Sequence, residues 1–232
     1  MMGFLIIIFV LLTIVLSVLR SRLVYELSAT SLLLCSTTKP GIVFYTIIFL
    51  PGTIIHELSH WIVAEILQVR TGTITIFPDL EDQHNGQQRL GSVATITTDP
   101  FRGFLIGIAP FFIGLLILIV LGRLLSTGIS TGFLWWQLVL IIYGIVVMGN
   151  SMLISASDRR TWPFILIFFS LITIILYRMR FSPSASIYLL SSNILHSLNL
   201  VLGVTAGLNL VMIGWSYSLR RLIEKITRRR IK

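Results

Sequence analysis

Residues 41–67 read GIVFYTIIFLPGTIIHELSHWIVAEIL, an apolar run that carries His56, Glu57 and His60 in its second half. A bilayer core about 30 Å thick needs about 20 residues of helix, so this run is long enough to cross one. An ionisable side chain at membrane depth costs about 2.5–3.5 kcal/mol even on lenient insertion scales. Three neighbouring ones therefore point to a use. Residues four apart share a helix face, so His56 and His60 can aim ring nitrogens at one point, and H-E-x-x-H is a zinc-binding pattern. Glu57 can reach an open fourth coordination position and take a proton from water there. The expectation is a hydrolytic centre holding one Zn²⁺ per chain inside a membrane.

Composition agrees with that solvent. Of the 232 residues, 55% are hydrophobic and only 12% charged, and the mean hydropathy is +0.93. Soluble globular domains do not have such values. Apolar runs cover residues 3–19, 41–67, 104–121, 134–154, 162–177 and 198–217, with 185–195 extending the last run or lying along the interface. The expected fold is an all-α polytopic membrane protein of about six transmembrane helices, one embedded domain over residues 1–232. A small β-hairpin is expected between helices two and three: Thr73-Ile74-Thr75-Ile76 alternates as a strand does, residues 91–97 form a poorer partner, and His84-Asn85-Gly86 marks the turn. The first run has neither a basic leader nor a clear cleavage site and is expected to be retained. A single cysteine, Cys35, excludes an internal disulfide.

The net charge of +9 comes from basic residues at the ends of apolar runs and in a basic tail, residues 218–232, so it indicates membrane topology and not nucleic-acid binding. With six helices, the positive-inside tendency places both termini in the cytoplasm. Twelve of the eighteen Lys and Arg residues then share that side. The tail would meet anionic headgroups of the lipid bilayer. No Walker loop, dinucleotide fingerprint or cysteine cluster suggests another cofactor.

A catalytic zinc usually takes three protein ligands. In the six-helix topology Asp158 follows the helix that runs parallel to the histidine helix, which makes it the expected third ligand. Asp158 pairing with Arg159 or Arg160 is the structural alternative. A zincin that uses Asp79 or Glu81 is another, and a catalytically silent membrane scaffold or chaperone is a third. Pro51-Gly52, one turn before His56, predicts a kink or break beside a wet cavity. Gly203-x-x-x-Gly207, with Asn199 and Asn209 nearby, predicts close packing of the last helix within the molecule. His84 and His196 are left out of the site.

These motifs resemble the site-two proteases, intramembrane zinc metalloproteases whose second motif is N-x-x-P-x-x-x-x-D-G. Asn150 and Asp158 keep its spacing, with Leu153 in place of the proline and Arg159 in place of the glycine. A β segment after the histidine helix and Ala109-Pro110 in the next helix are looser matches. The resemblance covers residues 41–160, the expected catalytic core. It implies a metalloendopeptidase with His56, His60 and Asp158 as ligands and Glu57 as general base. Asn150 would hold substrate backbone or an oxyanion, and the substrate would be a membrane-embedded protein segment cut near the cytoplasmic face.

Overall fold

The computed structural model describes residues 2–75, 92–95, 98–153 and 184–228, with 167, 170–172, 174–175 and 178–179 between the last two stretches. In chain order the described elements are α1 (Met2–Cys35), α2 (Lys39–Ile66), β1 (Thr71–Thr75), β2 (Ser92–Thr95), α3 (Pro100–Thr131), α4 (Trp135–Ser151) and α5 (Ala185–Thr227). Four helices, α1, α2, α3 and α5, are long and apolar enough to cross a membrane, and α4 is a shorter apolar helix of 17 residues. The chain is thus a helical membrane protein. The 162–177 run expected to be a further span lies largely outside the described residues, so four described spans stand against the expected six.

Local chemistry sets several helix ends. Pro40 stands in the first turn of α2, where its missing N–H costs nothing. Asp99 caps α3, its Oδ1 accepting from the amides of Phe101 and Arg102 at 3.1 and 2.9 Å. Gly132 ends α3 at φ 76°, the left-handed conformation that glycine adopts without a Cβ clash. β1 and β2 pair antiparallel, with a bulge between Thr71 and Ile74.

Close backbone approaches knit the bundle. Gly41 lies against the Leu27 carbonyl of α1, and Gly52 lies against Ser151 and Val147 of α4. The core has one apolar cluster built around Leu16, Leu118, Ile145 and Leu202, from α1, α3, α4 and α5. A second centres on Leu23, Tyr45, Phe49 and Val147. Outward faces such as Ile7, Leu11, Ile14 and Val18 of α1 are apolar and exposed, as a lipid-facing surface must be. No described atom lies within 4 Å of a Cβ built on Gly203 or Gly207, so the expected packing role of that glycine pair is not realised among the described residues.

Two ties set the direction of α5. Asn199 donates to the Leu5 carbonyl at 2.9 Å, and Arg220 Nε donates to Glu26 at 2.7 Å. Both pairs are 194 residues apart in sequence, so α1 and α5 run parallel and in register. Met2 and Thr227 therefore lie at opposite ends of the bundle, which corrects the expectation that both termini share one side. That expectation came from an even number of spans. His56 follows Gly41 by fifteen residues along α2, about 22 Å of helix rise away from the end where Glu26 and Arg220 meet. The histidine pair and the basic C-terminal segment are thus at different ends.

The Glu26–Arg220 layer is itself an unexpected feature. Glu26 is fully buried and accepts from Arg220 and from Arg22, both at 2.7 Å. Arg220 also donates to Glu224 at 2.9 Å. Residues 218–227, read from sequence as tail, are the last turns of α5, and Arg220 is 7% exposed.

Candidate metal centre

His56 and His60 project from the second half of α2 between α3 and α4. Each ring is held through Nδ1 by a backbone carbonyl: that of Ser151 at 2.6 Å for His56, and that of Ile106 at 2.8 Å for His60. A carbonyl only accepts, so in both rings Nδ1 carries the proton.

The two acceptors are carbonyls that their own helices leave unused. Ser151 is the last residue of α4, where the final four carbonyls have no intrahelical donor. Ile106 lies four residues before Pro110, inside α3, and proline has no N–H to return to that carbonyl.

With both protons on Nδ1, the ligating nitrogens are the two Nε2 atoms, and they face each other at 3.3 Å. At that distance the two nitrogens are held together by a shared proton or by a cation between them. Zinc–nitrogen bonds of about 2.0–2.1 Å at the tetrahedral angle put two ligand nitrogens about 3.3–3.4 Å apart. The rings, at 81° to each other with centroids 4.9 Å apart, thus fit two adjacent corners of a tetrahedral site. A carbonyl on the far nitrogen of each imidazole is the usual outer support of a metal-bound histidine. Glu57 is 6% exposed and shares the helical turn with His56.

Asn150 is also buried, at 1% exposure, but its amide turns to α5. Its Nδ2 donates to the Val146 carbonyl at 2.8 Å and to Asn209 Oδ1 at 3.1 Å, and Asn209 Nδ2 donates back to its Oδ1 at 2.8 Å. Both N–H groups are used, so in this arrangement Asn150 ties α4 to α5 and presents no donor to an oxyanion.

The expected third ligand, Asp158, lies outside the described residues, as do Asp79, Glu81 and His84. Among the described residues no group of three or more His, Cys, Asp or Glu side chains is placed to hold a metal ion. The structure therefore has His56, Glu57 and His60 together on α2, with the Asn150 amide turned to Asn209.

Of the kink or break expected at Pro51, the break is absent: α2 continues through the proline from Lys39 to Ile66. Tyr143 of α4 donates to the Ile48 carbonyl at 2.7 Å, one residue past the Ile47 carbonyl whose helical donor Pro51 removes.

Sequence reasoning missed the carbonyls of Ile106 and Ser151, because backbone acceptors carry no side-chain signature. Pro110 was the available signal, since a proline inside a helix marks the carbonyl four residues back. Comparison with family models, curated proteins and solved structures returned no match.

Proposed function

We propose that this chain is an intramembrane zinc metalloendopeptidase, with a site of the site-two protease kind, acting on membrane-embedded protein segments. One observation carries the reading: two Nε2 atoms converge to a tetrahedral edge length while both Nδ1 protons are tied to carbonyls. Zinc, when bound, acidifies water and polarises the scissile carbonyl. His56 and His60 hold it, with Asp158 as the third ligand. Asp158 follows by seven residues the Ser151 whose carbonyl supports His56, which favours it over Asp79 or Glu81. Glu57 accepts the proton from water and passes it to the leaving amine. The edge of the β1–β2 pair receives an unwound substrate strand through backbone hydrogen bonds.

The parallel packing of α1 and α5 favours an odd number of crossings over six. Arg20, Arg22, Lys39 and Arg123 then share the end of the bundle that holds Arg220, Arg221 and Lys225. The positive-inside tendency puts that end in the cytoplasm and the site toward the opposite face.

The test is Glu57→Gln beside the parent on a model single-span substrate. The variant is expected to keep its zinc and to lose about 10²–10⁴-fold in cleavage rate. Parent-like cleavage contradicts the mechanism. Metal content of Asp158→Asn against Asp79→Asn assigns the third ligand.

A further inference from the structure

We infer that Pro110 is a positioning residue for the metal centre, acting by leaving a helix carbonyl for His60. The inference rests on the metal-centre reading above for its functional meaning, although its geometric part stands without a metal.

In an α-helix each interior carbonyl accepts from the N–H four residues later. For Ile106 that residue is Pro110, which has no N–H, while α3 continues unbroken from Pro100 to Thr131. An unpaired carbonyl at membrane depth is costly, so it finds another donor. His60 Nδ1 is that donor, at 2.8 Å and within a buried pair.

The arrangement has two consequences. It fixes the His60 tautomer, because Nδ1–H is committed to oxygen and Nε2 is left as the ligating atom. It also fixes ring rotation, because the bond aims Nε2 at the His56 Nε2 atom 3.3 Å away. Proline inside a helix is ordinarily unfavourable relative to alanine. At position 110 the lost intrahelical bond is converted into an external anchor. The burial of Pro110 and Ala109 and the short reach to α2 keep that anchor within the bundle.

Replacing Pro110 with a residue that has an N–H restores the normal partner of the Ile106 carbonyl. The new amide competes with the imidazole for one oxygen. Helix α3 should gain or keep stability while the metal site loses its orientation. A purely structural proline cannot produce that opposition.

The experiment compares the parent with Pro110→Ala and with Pro110→Val, which retains more of the ring's volume. Three readouts are taken on the full chain in detergent: the Nδ1–H resonance of His60 in metal-free protein labelled with ¹⁵N-histidine, Zn²⁺ affinity by chelator competition, and the thermal unfolding midpoint. The expected result is loss or a large upfield move of the His60 Nδ1–H signal, with Zn²⁺ affinity about ten- to a hundredfold weaker and a midpoint that does not fall. A His60 signal unchanged in both variants overturns the inference. So does a fall in affinity that tracks a fall in the midpoint, because that is general destabilisation. If the parent binds no Zn²⁺ yet the His60 signal moves in both variants, the metallopeptidase reading fails and the positioning of His60 by Pro110 stands.

Discussion

Gly52→Ala tests whether the contact between α2 and α4 holds His56 in place. A Cβ at position 52 would overlap the Ser151 hydroxyl and lie 2.7 Å from both Ser151 Cβ and Val147 Cγ1. Ordinary carbon–carbon contact begins at about 3.5 Å, so the helices must part by roughly 0.8 Å at this point. His56 is one turn further along α2, and its Nδ1 bond to the Ser151 carbonyl is 2.6 Å long. Opened by the same amount it reaches about 3.4 Å, past the usual limit of about 3.2 Å for an N–H···O bond. Overpacking of this kind costs about 1–3 kcal/mol of stability. Loss of an outer support of a ligand typically weakens metal binding about ten- to a hundredfold. The assay is Zn²⁺ competition against a chromophoric chelator in detergent, beside an unfolding titration. Gly203→Ala is the control, because its Cβ meets nothing within 4 Å. If Gly52→Ala lost stability but bound Zn²⁺ as tightly as the parent, the Ser151 carbonyl would not be positioning His56.

Three further outcomes are expected. Asn209→Leu strands the buried Asn150 amide and should lower bundle stability by about 1–2 kcal/mol; adding Asn150→Leu should cost less than the sum of the two single changes, whereas strict additivity would mean the pair does not interact. Arg220→Met removes the partner shared by two buried carboxylates, Glu26 and Glu224, each of which keeps one other arginine, and should destabilise by about 1.5–3 kcal/mol in an unfolding titration; a change below about 0.5 kcal/mol would refute a structural role for the layer. In a Cys35→Ser background, Met2→Cys and Arg228→Cys should react with an impermeant thiol reagent from opposite faces of the membrane; labelling from one face would refute the parallel packing of α1 and α5.

The histidine helix was the most legible part of the chain. Residues 41–67 were read as a span and α2 is Lys39–Ile66, because a long apolar run with Pro40 at its start leaves few alternatives. Residues 104–121 and 134–154 likewise fall on α3 and α4 with ends shifted by several residues. The first helix is longer than its apolar run. Arg20, Arg22 and Glu26 look like the end of a span, but α1 continues to Cys35 because Glu26 meets Arg220, a partner 194 residues away that no local pattern reveals. The same partner was hidden at the other end, where Arg220 was grouped with a tail of like charge. The pairing of those two segments then overturned the topology, since counting apolar runs gives spans but not which helices lie side by side.

At the site, the four-residue spacing foretold that His56 and His60 would converge, and they do. Their orientation was not legible, because it is set by the carbonyls of Ile106 and Ser151, and a carbonyl is common to every residue. The motif spacing points Asn150 toward substrate. Its amide instead faces Asn209, a residue the sequence marked only as a polar contact in the last helix.

The most direct test of the metal centre is zinc X-ray absorption on purified protein, with metal content measured in parallel on His56→Ala and His60→Ala. The expected result is about one zinc per chain in the parent, with two imidazole nitrogens at about 2.0–2.1 Å, and loss of bound zinc in both variants. A parent that takes up no zinc on reconstitution, or bound zinc that persists unchanged in both variants, would contradict it.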